Sequence, residues 1–392
     1  MTLSQRCGHR VICRVEFFAT TSPGLEDLAC REIERLTGES AAPDVGKVFF
    51  QAHVKSIYLL HLKASMLNKI FITLCRERFA KLDDLYRIAR GVDYGWIIDK
   101  DQSFAVRSER IGVHDFTSMD VSRVVGQAAI DSYQEAYRTR LKVDLDEPDV
   151  EIYALVRDDE FVLGVNTTGR SLHKRGYKVY EHPAALKPTI ASAMLEIAEW
   201  PNGEGLIDPM CGGATIPIEA AFKAYNIPPN HLRRDFAFLR LKCFAKEEFE
   251  EIRENLLAEA KTGCSLKIFG MEKYAHHLRG GIRNAEKADV LRAIKFIQGD
   301  ATIPEDYPKE TVTHVVVNPP YGIRMIPSGS PKKLYVGLIK ALKKVVQIGT
   351  LVLISGAYKR FEEAASECSL EITETRIVSH GDLRAKIYKC KI

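Results

Sequence analysis

The sequence lacks any C-x-x-C pair. Its nine cysteines, at 7, 13, 30, 75, 211, 243, 264, 368 and 390, and its eleven histidines nowhere take up the spacing of metal ligands. A metal site is therefore not expected, and reduced thiols suit a cytoplasmic protein. No window approaches the roughly 20 apolar residues of a membrane span. The stretch from Met1 to Glu16 carries Arg6, Arg10 and Arg14, but not the continuous apolar core of about 7 to 15 residues that marks a secretory signal. A soluble, intracellular chain is the expectation. Internal repeats and low-complexity tracts are missing too. So is a large excess of one charge: 56 Lys and Arg stand against 52 Asp and Glu, a net of +4. Binding to a polyanion then has to rest on local patches rather than on an overall field. What is present is 392 residues, 46% hydrophobic and 28% charged, enough for two or three globular domains.

Hydrophobic periodicity divides the chain. Residues 1–75 read as a small α/β unit: VICRVEFFAT is extended, Pro23 to Leu36 is an amphipathic helix, Lys47 to Ala52 is extended again and Val54 to Leu67 is helical. Residues 76–170 read as a second unit, with a strand at SFAVRSER, a helix from Val121 to Arg138, and strands at Val150 to Val156 and Glu160 to Asn166. Residues 171–188, basic and broken by Gly and Pro, read as a linker. Between 189 and 392 strands and helices alternate, which predicts a doubly wound, mostly parallel sheet covered by helices on both faces.

In such a sheet ligands collect beyond the carboxyl ends of the strands, so the informative residues follow each predicted strand. After the first comes Asp208-Pro209-Met210-Cys211-Gly212-Gly213-Ala214-Thr215. Its small residues let a ligand approach the backbone, and the helix it opens favours an anionic group at its N-terminus. No Gly-Lys-Ser or Gly-Lys-Thr follows, which excludes a Walker loop. The second strand ends at Glu272, whose carboxylate can accept from both hydroxyls of a ribose, and the third at Gly299-Asp300-Ala301, where Asp300 can accept from an adenine amine. Each of these, taken singly, also fits an ordinary turn. The fourth strand leads into Asn318-Pro319-Pro320-Tyr321-Gly322. Two prolines fix the backbone and remove two donors, leaving the carbonyls of Asn318 and Pro319 free to accept. A planar amine attacking a methyl sulfonium needs acceptors on its N–H groups to orient the nitrogen and stabilise the charge that develops on it. Tyr321 offers a flat face for a base, which has to be extruded if it is paired. The alternative is a rigid turn closing a strand. His276 and His277 read as one packed and one solvated side chain, Gly280-Gly281 as local helix disruption, and Glu247 to Glu259 as a solvated helix face. Arg170, Lys174, Arg175 and Lys178 can contact phosphates or simply line a solvated connector.

With these residues assembled, the chain resembles the THUMP-domain RNA guanine-N2 methyltransferases over nearly its whole length. SFAVRSERIGVHDFTSMDV and EIYALVRDDEFVLGVNTTGRSLHKRGY are similar to the THUMP module and its exit, DPMCGGATIPIEAA to the cofactor loop and NPPYG to the catalytic loop. The resemblance implies a ferredoxin-like domain at 1–75, a THUMP RNA-binding domain at 76–170, the linker, and a Rossmann-like class I methyltransferase domain at 189–392. It implies S-adenosyl-L-methionine as cofactor. Asp208, Met210, Cys211, Gly212, Gly213, Ala214 and Thr215 would enclose the methionine part, Glu272 the ribose, and Asp300 and Ala301 the adenine, with Lys273 and Asn318 as further cofactor contacts. The segment His182 to Thr189 resembles one that lies over the cofactor, with Leu186 and Thr189 as candidate contacts. Asn318 and the Pro319 carbonyl would hold the guanine amine, next to Pro320 and with Tyr321 stacked on the ring. Arg107, Arg170, Lys174, Arg175 and Lys178 are the RNA-contact candidates.

The sequence departs from the family pattern twice. Ala214 stands where many members have Gly, which puts a Cβ close to the cofactor path, and Glu272 replaces the commoner Asp. The compact chain is most similar to the archaeal tRNA acceptor-stem enzymes, which implies a monomeric tRNA methyltransferase forming N2-methylguanosine at guanosine 6. The competing readings are a 23S rRNA guanine-N2 methyltransferase, methylation of an adenine amine or a protein glutamine, and an RNA-binding scaffold with a vestigial methyltransferase domain.

Overall fold

The computed structural model describes residues 14–321, 331–381 and 383–392. Gly322, the last residue of the segment that follows the fourth strand of the methyltransferase half, lies outside the described residues, as do Arg6, Cys7, Arg10 and Cys13.

The N-terminal half contains β1 (Arg14–Thr20), α1 (Glu26–Thr37), β2 (Ala41–Asp44), β3 (Lys47–His53), α2 (Ser56–Lys63), β4 (Lys69–Arg78), α3 (Leu82–Arg90), β5 (Ser103–Ile111), α4 (Ser118–Tyr137), β6 (Lys142–Val143), β7 (Val150–Arg157) and β8 (Glu160–Asn166). Sequence reading separates two α/β units here. The structure joins them in one eight-stranded sheet of order β2-β3-β1-β4-β8-β7-β5-β6. The seam is β4, antiparallel to β1 on one side and to β8 on the other. Its residues Ile70, Phe71 and Ile72 are buried, as a strand paired on both edges requires. The long helix α4 starts at a reciprocal cap: Thr117 Oγ1 accepts from Asp120 N–H at 3.2 Å while the Asp120 carboxylate accepts from Thr117 N–H at 2.9 Å.

The C-terminal half contains α5 (Pro188–Ile197), β9 (Leu206–Asp208), α6 (Thr215–Tyr225), α7 (Lys246–Ala258), β10 (Ile268–Glu272), α8 (Ala275–Lys287), β11 (Ile294–Gln298), β12 (His314–Val317), α9 (Pro331–Val345), β13 (Thr350–Ser355), α10 (Tyr358–Glu367), β14 (Glu371–His380) and β15 (Leu383–Lys391). The strand order is β11-β10-β9-β12-β13-β15-β14. The first five strands are parallel and β15 runs antiparallel to both its neighbours. This is the doubly wound α/β sheet expected. Strand order reverses at β9, which pairs with β10 on one side and β12 on the other, so the crevice above β9 and β12 is the topological switch point where ligands bind.

The two halves are packed into each other rather than tethered. Phe236, Phe238, Leu241 and Phe249, from the segment between α6 and β10, belong to the core of the N-terminal sheet, next to Tyr58 and Phe104. In return Leu25, Leu28 and Met66 are buried in the core of the methyltransferase half. The solvated face expected for Glu247 to Glu259 is therefore only part of α7, whose Phe249 is fully buried.

The expected linker is not a solvated connector. Leu172, Arg175 and Tyr177 are buried. Arg175 pairs with Glu219 of α6 at 3.2 Å, with both side chains sealed from solvent, and donates to Asn230 Oδ1 at 2.9 Å and to the carbonyl of Ser65 at 2.6 Å. Glu219 also accepts from Tyr177 and Ser192. A guanidinium buried this way is retained because its charge is matched and its N–H groups are satisfied.

Candidate active site

The carboxyl ends of β9, β10, β11 and β12 open onto one cavity of about 640 Å³. Into it the structure brings Asp208, Met210, Cys211, Gly212, Gly213, Thr215, Glu272, Lys273, Asp300, Ala301, Asn318, Pro320 and Leu186. Residues from four separate strand ends meet because parallel strands present their carboxyl ends on the same edge of the sheet.

Each carboxylate has its own setting. Asp208 is buried and accepts from Met210 N–H at 3.1 Å. Burial pushes its carboxyl well above the ordinary range; the Met210 N–H opposes this and the nearby Glu272 charge adds to it. Glu272 accepts at both oxygens, from Gly212 N–H at 3.1 Å and Tyr274 N–H at 2.9 Å, which holds the carboxylate plane across the end of β10. Asp300 is bound by Thr302 through N–H at 2.9 Å and hydroxyl at 2.7 Å, and by the Lys273 ammonium at 2.8 Å. Partial burial raises its carboxyl, but Lys273 and Thr302 outweigh that and hold it below the usual range.

The loop between β9 and α6 is shaped for close approach. Gly212 has φ 50°, and a Cβ there would lie 3.2 Å from the His182 ring. Ala214, also left-handed at φ 60°, is fully buried, and its Cβ points at α8, 3.1 Å from where a Cβ of Gly281 would stand. The Cβ expected close to the cofactor path therefore faces the neighbouring helix and does not line the cavity. The same packing explains the glycine pair. Helix α8 runs unbroken through Gly280 and Gly281, and the expected helix disruption is absent. The two positions are bare because the Tyr180 ring lies against one and the Gly212 carbonyl against the other.

Asn318 sits at the end of β12. Its amide donates to the Ala184 carbonyl at 3.1 Å, and its Oδ1 accepts from the Tyr321 hydroxyl at 2.7 Å. Pro319 is buried and Pro320 lines the cavity. Tyr321 does not line it; its ring packs against Gly356, and burial pushes its hydroxyl well above the ordinary tyrosine range. Thr189 is placed elsewhere as well. It is buried, its hydroxyl donates to Asn68 Oδ1 at 3.2 Å, and it does not line the cavity.

Within the segment over the site, sequence reading singles out Leu186 and Thr189 and misses the side chains that form most of the roof. His182, Ala184 and Ala185 line the cavity from above, and His277 of α8 packs edge-on to His182 with ring centroids 4.2 Å apart. The Tyr180 hydroxyl meets His277 Nδ1. Burial, with His277 and His276 beside it, lowers the His182 imidazole to about 4, so it is neutral at pH 7. Pro183 and the flanking aromatic rings are the visible signal, but nothing in their spacing says which helix they meet.

The RNA-contact candidates separate. Arg175 is corrected: its charge is spent on Glu219 in the interior. Lys178 is corrected too; it is half-buried, donates to the Leu186 carbonyl at 2.9 Å, and burial lowers its ammonium to about 8. Arg170 is exposed but paired with Asp235 at 2.6 Å, and Lys174 is exposed. Arg107 lines an open groove between β5 and α4 together with Arg123, Gln127 and the exposed Met119, Val143 and Leu145.

With the geometry in hand, three domain families match: the RlmL ferredoxin-like domain at residues 16–70, the THUMP domain at 79–166 and the RMKL-like methyltransferase domain at 175–386. The chain is 43% identical over 380 residues to a tRNA (guanine(6)-N2)-methyltransferase of Archaeoglobus fulgidus, covering 95% of this chain and 91% of that one. To the protein of the same name from Methanocaldococcus jannaschii it is 37% identical over 382 residues, covering 95% and 99%. The solved structure of SMU.472 complexed with SAH superposes with a TM-score of 0.86 at 20% identity, covering 96% of this chain and 97% of that chain, a likeness of fold. The chain belongs to the RMKL-like methyltransferase family, in the form that carries ferredoxin-like and THUMP domains ahead of the methyltransferase domain.

Proposed function

We propose that the protein is an S-adenosyl-L-methionine-dependent tRNA methyltransferase that forms N2-methylguanosine at guanosine 6 of the acceptor stem. The observation that carries the transfer chemistry is the meeting of Asn318 with Asp208, Glu272 and Asp300 in one cavity. The position and substrate rest on the two archaeal relatives, which align with 95% of the chain and bear that name.

The residues fit the cofactor. At Gly212, whose φ is 50°, a Cβ would crowd the His182 ring at 3.2 Å. Asp208, whose carboxyl burial pushes upward, would gain a partner when a cationic ammonium or sulfonium enters. When bound, S-adenosylmethionine supplies a methyl group on a positively charged sulfur. Asp208, Met210, Cys211, Gly212, Gly213 and Thr215 would hold its methionine end, Glu272 its ribose hydroxyls, and Asp300 and Ala301 its adenine, with Leu186 over it. Lys273 keeps Asp300 ionised. Asn318 Oδ1 at the cavity, and by the family resemblance the Pro319 carbonyl, would accept from the guanine N2 amine, orienting its lone pair and stabilising the positive charge that develops on it. As the N–CH3 bond formed, the S–CH3 bond would break to leave a neutral thioether, and the alkylated amine would give up one proton to solvent water. Stacking of Tyr321 on the base would require its ring to leave Gly356 and its hydroxyl to release Asn318 Oδ1.

Arg107 and Arg123, in an open groove with the exposed Met119, Val143 and Leu145, suit the phosphates of an RNA segment. No helix of the described residues is long and apolar enough to cross a membrane, and among them no group of three His, Cys, Asp or Glu side chains is placed to hold a metal. The proposal includes a cytoplasmic monomer.

The test is transfer of labelled methyl to tRNA transcripts carrying guanosine, adenosine or inosine at position 6, with nucleoside analysis. Inosine is guanosine without the N2 amine. N2-methylguanosine from the first transcript and no product from the other two is the expected result. N6-methyladenosine, or equal labelling of all three, overturns the assignment, and transfer to large-subunit rRNA alone moves it to the competing reading.

A further inference from the structure

The roof of the cavity, residues 179–186, belongs to no helix or strand, yet one side chain fastens it. Asn284 of α8 is 1% exposed. Its Oδ1 accepts from the N–H groups of Val179 at 2.9 Å and Tyr180 at 2.8 Å. Its Nδ2 donates to the carbonyls of Tyr180 and Gly213, both at 2.9 Å. A primary amide has two acceptor sites and two N–H donors, and all four are used. The roof is thereby tied to the glycine loop of the cofactor cavity. Lys178, bonded to the Leu186 carbonyl, closes the two ends of the roof on each other.

The far end of the roof reaches the reacting group. The Ala184 carbonyl accepts from Asn318 Nδ2 at 3.1 Å. The oxygen and nitrogen of an asparagine amide are nearly the same size, so Asn318 could be turned either way about its last torsion. A carbonyl can only accept. Ala184 therefore selects the orientation with Nδ2 toward the roof and Oδ1 turned away from it, free of the roof and accepting from the Tyr321 hydroxyl. Turned over, Asn318 would present an N–H to the amine and catalysis would lose an acceptor.

We infer that Asn284 is a positioning residue for methyl transfer: by clasping the roof it holds the Ala184 carbonyl where it fixes the Asn318 amide with its acceptor toward the incoming amine. This rests on the proposed role of Asn318. Asn284 touches neither substrate nor cofactor in this scheme and acts through two intermediates.

The experiment is a double-mutant cycle on the full-length protein, reading single-turnover rates at saturating S-adenosylmethionine and tRNA, with Asn284→Ala, Asn318→Ala and the double variant. Asn284→Ala, which removes all four hydrogen bonds of the clasp, is expected to slow transfer by about ten- to a hundredfold, with KM for tRNA little changed. In the Asn318→Ala background the same change should cost less than about threefold, because the group it positions is gone. Asn284→Asp, which keeps both acceptors and loses both donors, should recover part of the rate. Equal losses in both backgrounds, or an unaltered rate for Asn284→Ala, overturn the inference. If Asn284→Ala does not fold, Asn284→Asp and Asn284→Ser replace it in the same cycle. Wild-type turnover on tRNA in this assay tests the proposed function by itself, so failure of that reading is seen separately.

Discussion

Asn318 makes one donation and one acceptance: Nδ2 is held by the Ala184 carbonyl and Oδ1 accepts from the Tyr321 hydroxyl. Replacing Asn318 by Ala should cut kcat by about a hundredfold, the cost of one preorganised partner at a centre of developing charge. Cofactor affinity, measured by calorimetry, should stay within about threefold, since Glu272 and Asp300 are untouched. A comparable loss of both would remove the residue from the chemical step. Lys178 carries a different kind of prediction. Burial lowers its ammonium from an ordinary 10.5 to about 8. Its folded value lies below its unfolded one, so the unfolded chain binds more protons between about pH 8 and 10.5 and stability rises with pH in that window. The Lys178 contribution is complete above the unfolded value and is lost as pH falls through about 8. Urea midpoints of wild type minus Lys178→Met should therefore climb from about pH 7.5 to about pH 10. A flat difference would show that the amine is not held neutral. At this scale the sequence shows which residues carry chemistry, because Asn318-Pro319-Pro320-Tyr321 and the strand-end carboxylates are local patterns. It does not show that Arg175 and Lys178 point inward, since a charged side chain in a Gly-containing stretch reads as solvated until its partners, Glu219 and the Leu186 carbonyl, are brought up from elsewhere.

Helix α8 and the β9–α6 loop illustrate how an element is constrained by what crosses it. Two adjacent glycines weaken a helix by roughly 1 kcal/mol each relative to alanine, and α8 tolerates them because Tyr180 and the cofactor loop need the space. Gly281→Ala would place a Cβ 2.8 Å from the Gly212 carbonyl and 3.1 Å from the Ala214 Cβ, both backbone-anchored. The loop must shift, and S-adenosylmethionine binding should weaken by about tenfold or more, in line with the roughly 1–3 kcal/mol typical of overpacking. Helicity by circular dichroism should be unchanged or higher. Wild-type affinity in this variant would mean that the loop position is not set by α8. Elements with strong periodicity or caps, such as α4 and the strands β7 and β8, are legible from sequence. β2 is not, with Pro43 and polar neighbours in a four-residue edge strand. Nor is the seam strand β4, whose alternation fades into Arg76-Glu77-Arg78 at its exposed end.

For the whole molecule, the consequence of the shared cores is mechanical. Phe236, Phe238 and Phe249 would be stripped of their partners if residues 1–170 were removed, so a truncated methyltransferase half is a poor test of which domain binds RNA. Paired surface changes are a better one. Arg107→Ala with Arg123→Ala should weaken tRNA binding across sequences and reduce the slope of log affinity against log salt by about 2, one for each phosphate left without its arginine. Turnover at saturating tRNA should be retained. An unchanged salt slope would place the RNA outside the groove between β5 and α4. The sequence by itself determined the alternating α/β order, the four strand-end motifs and the family, because each is written in local spacing and residue type. Only the tertiary structure decided that the two N-terminal units share one sheet, that the basic linker is anchored in the interior through Leu172, Arg175 and Tyr177, and that Asn284 clasps the roof of the site. Those features depend on which distant backbone groups come within hydrogen-bonding distance, and a burial partner far away in the chain leaves no periodic mark on the residues that meet it.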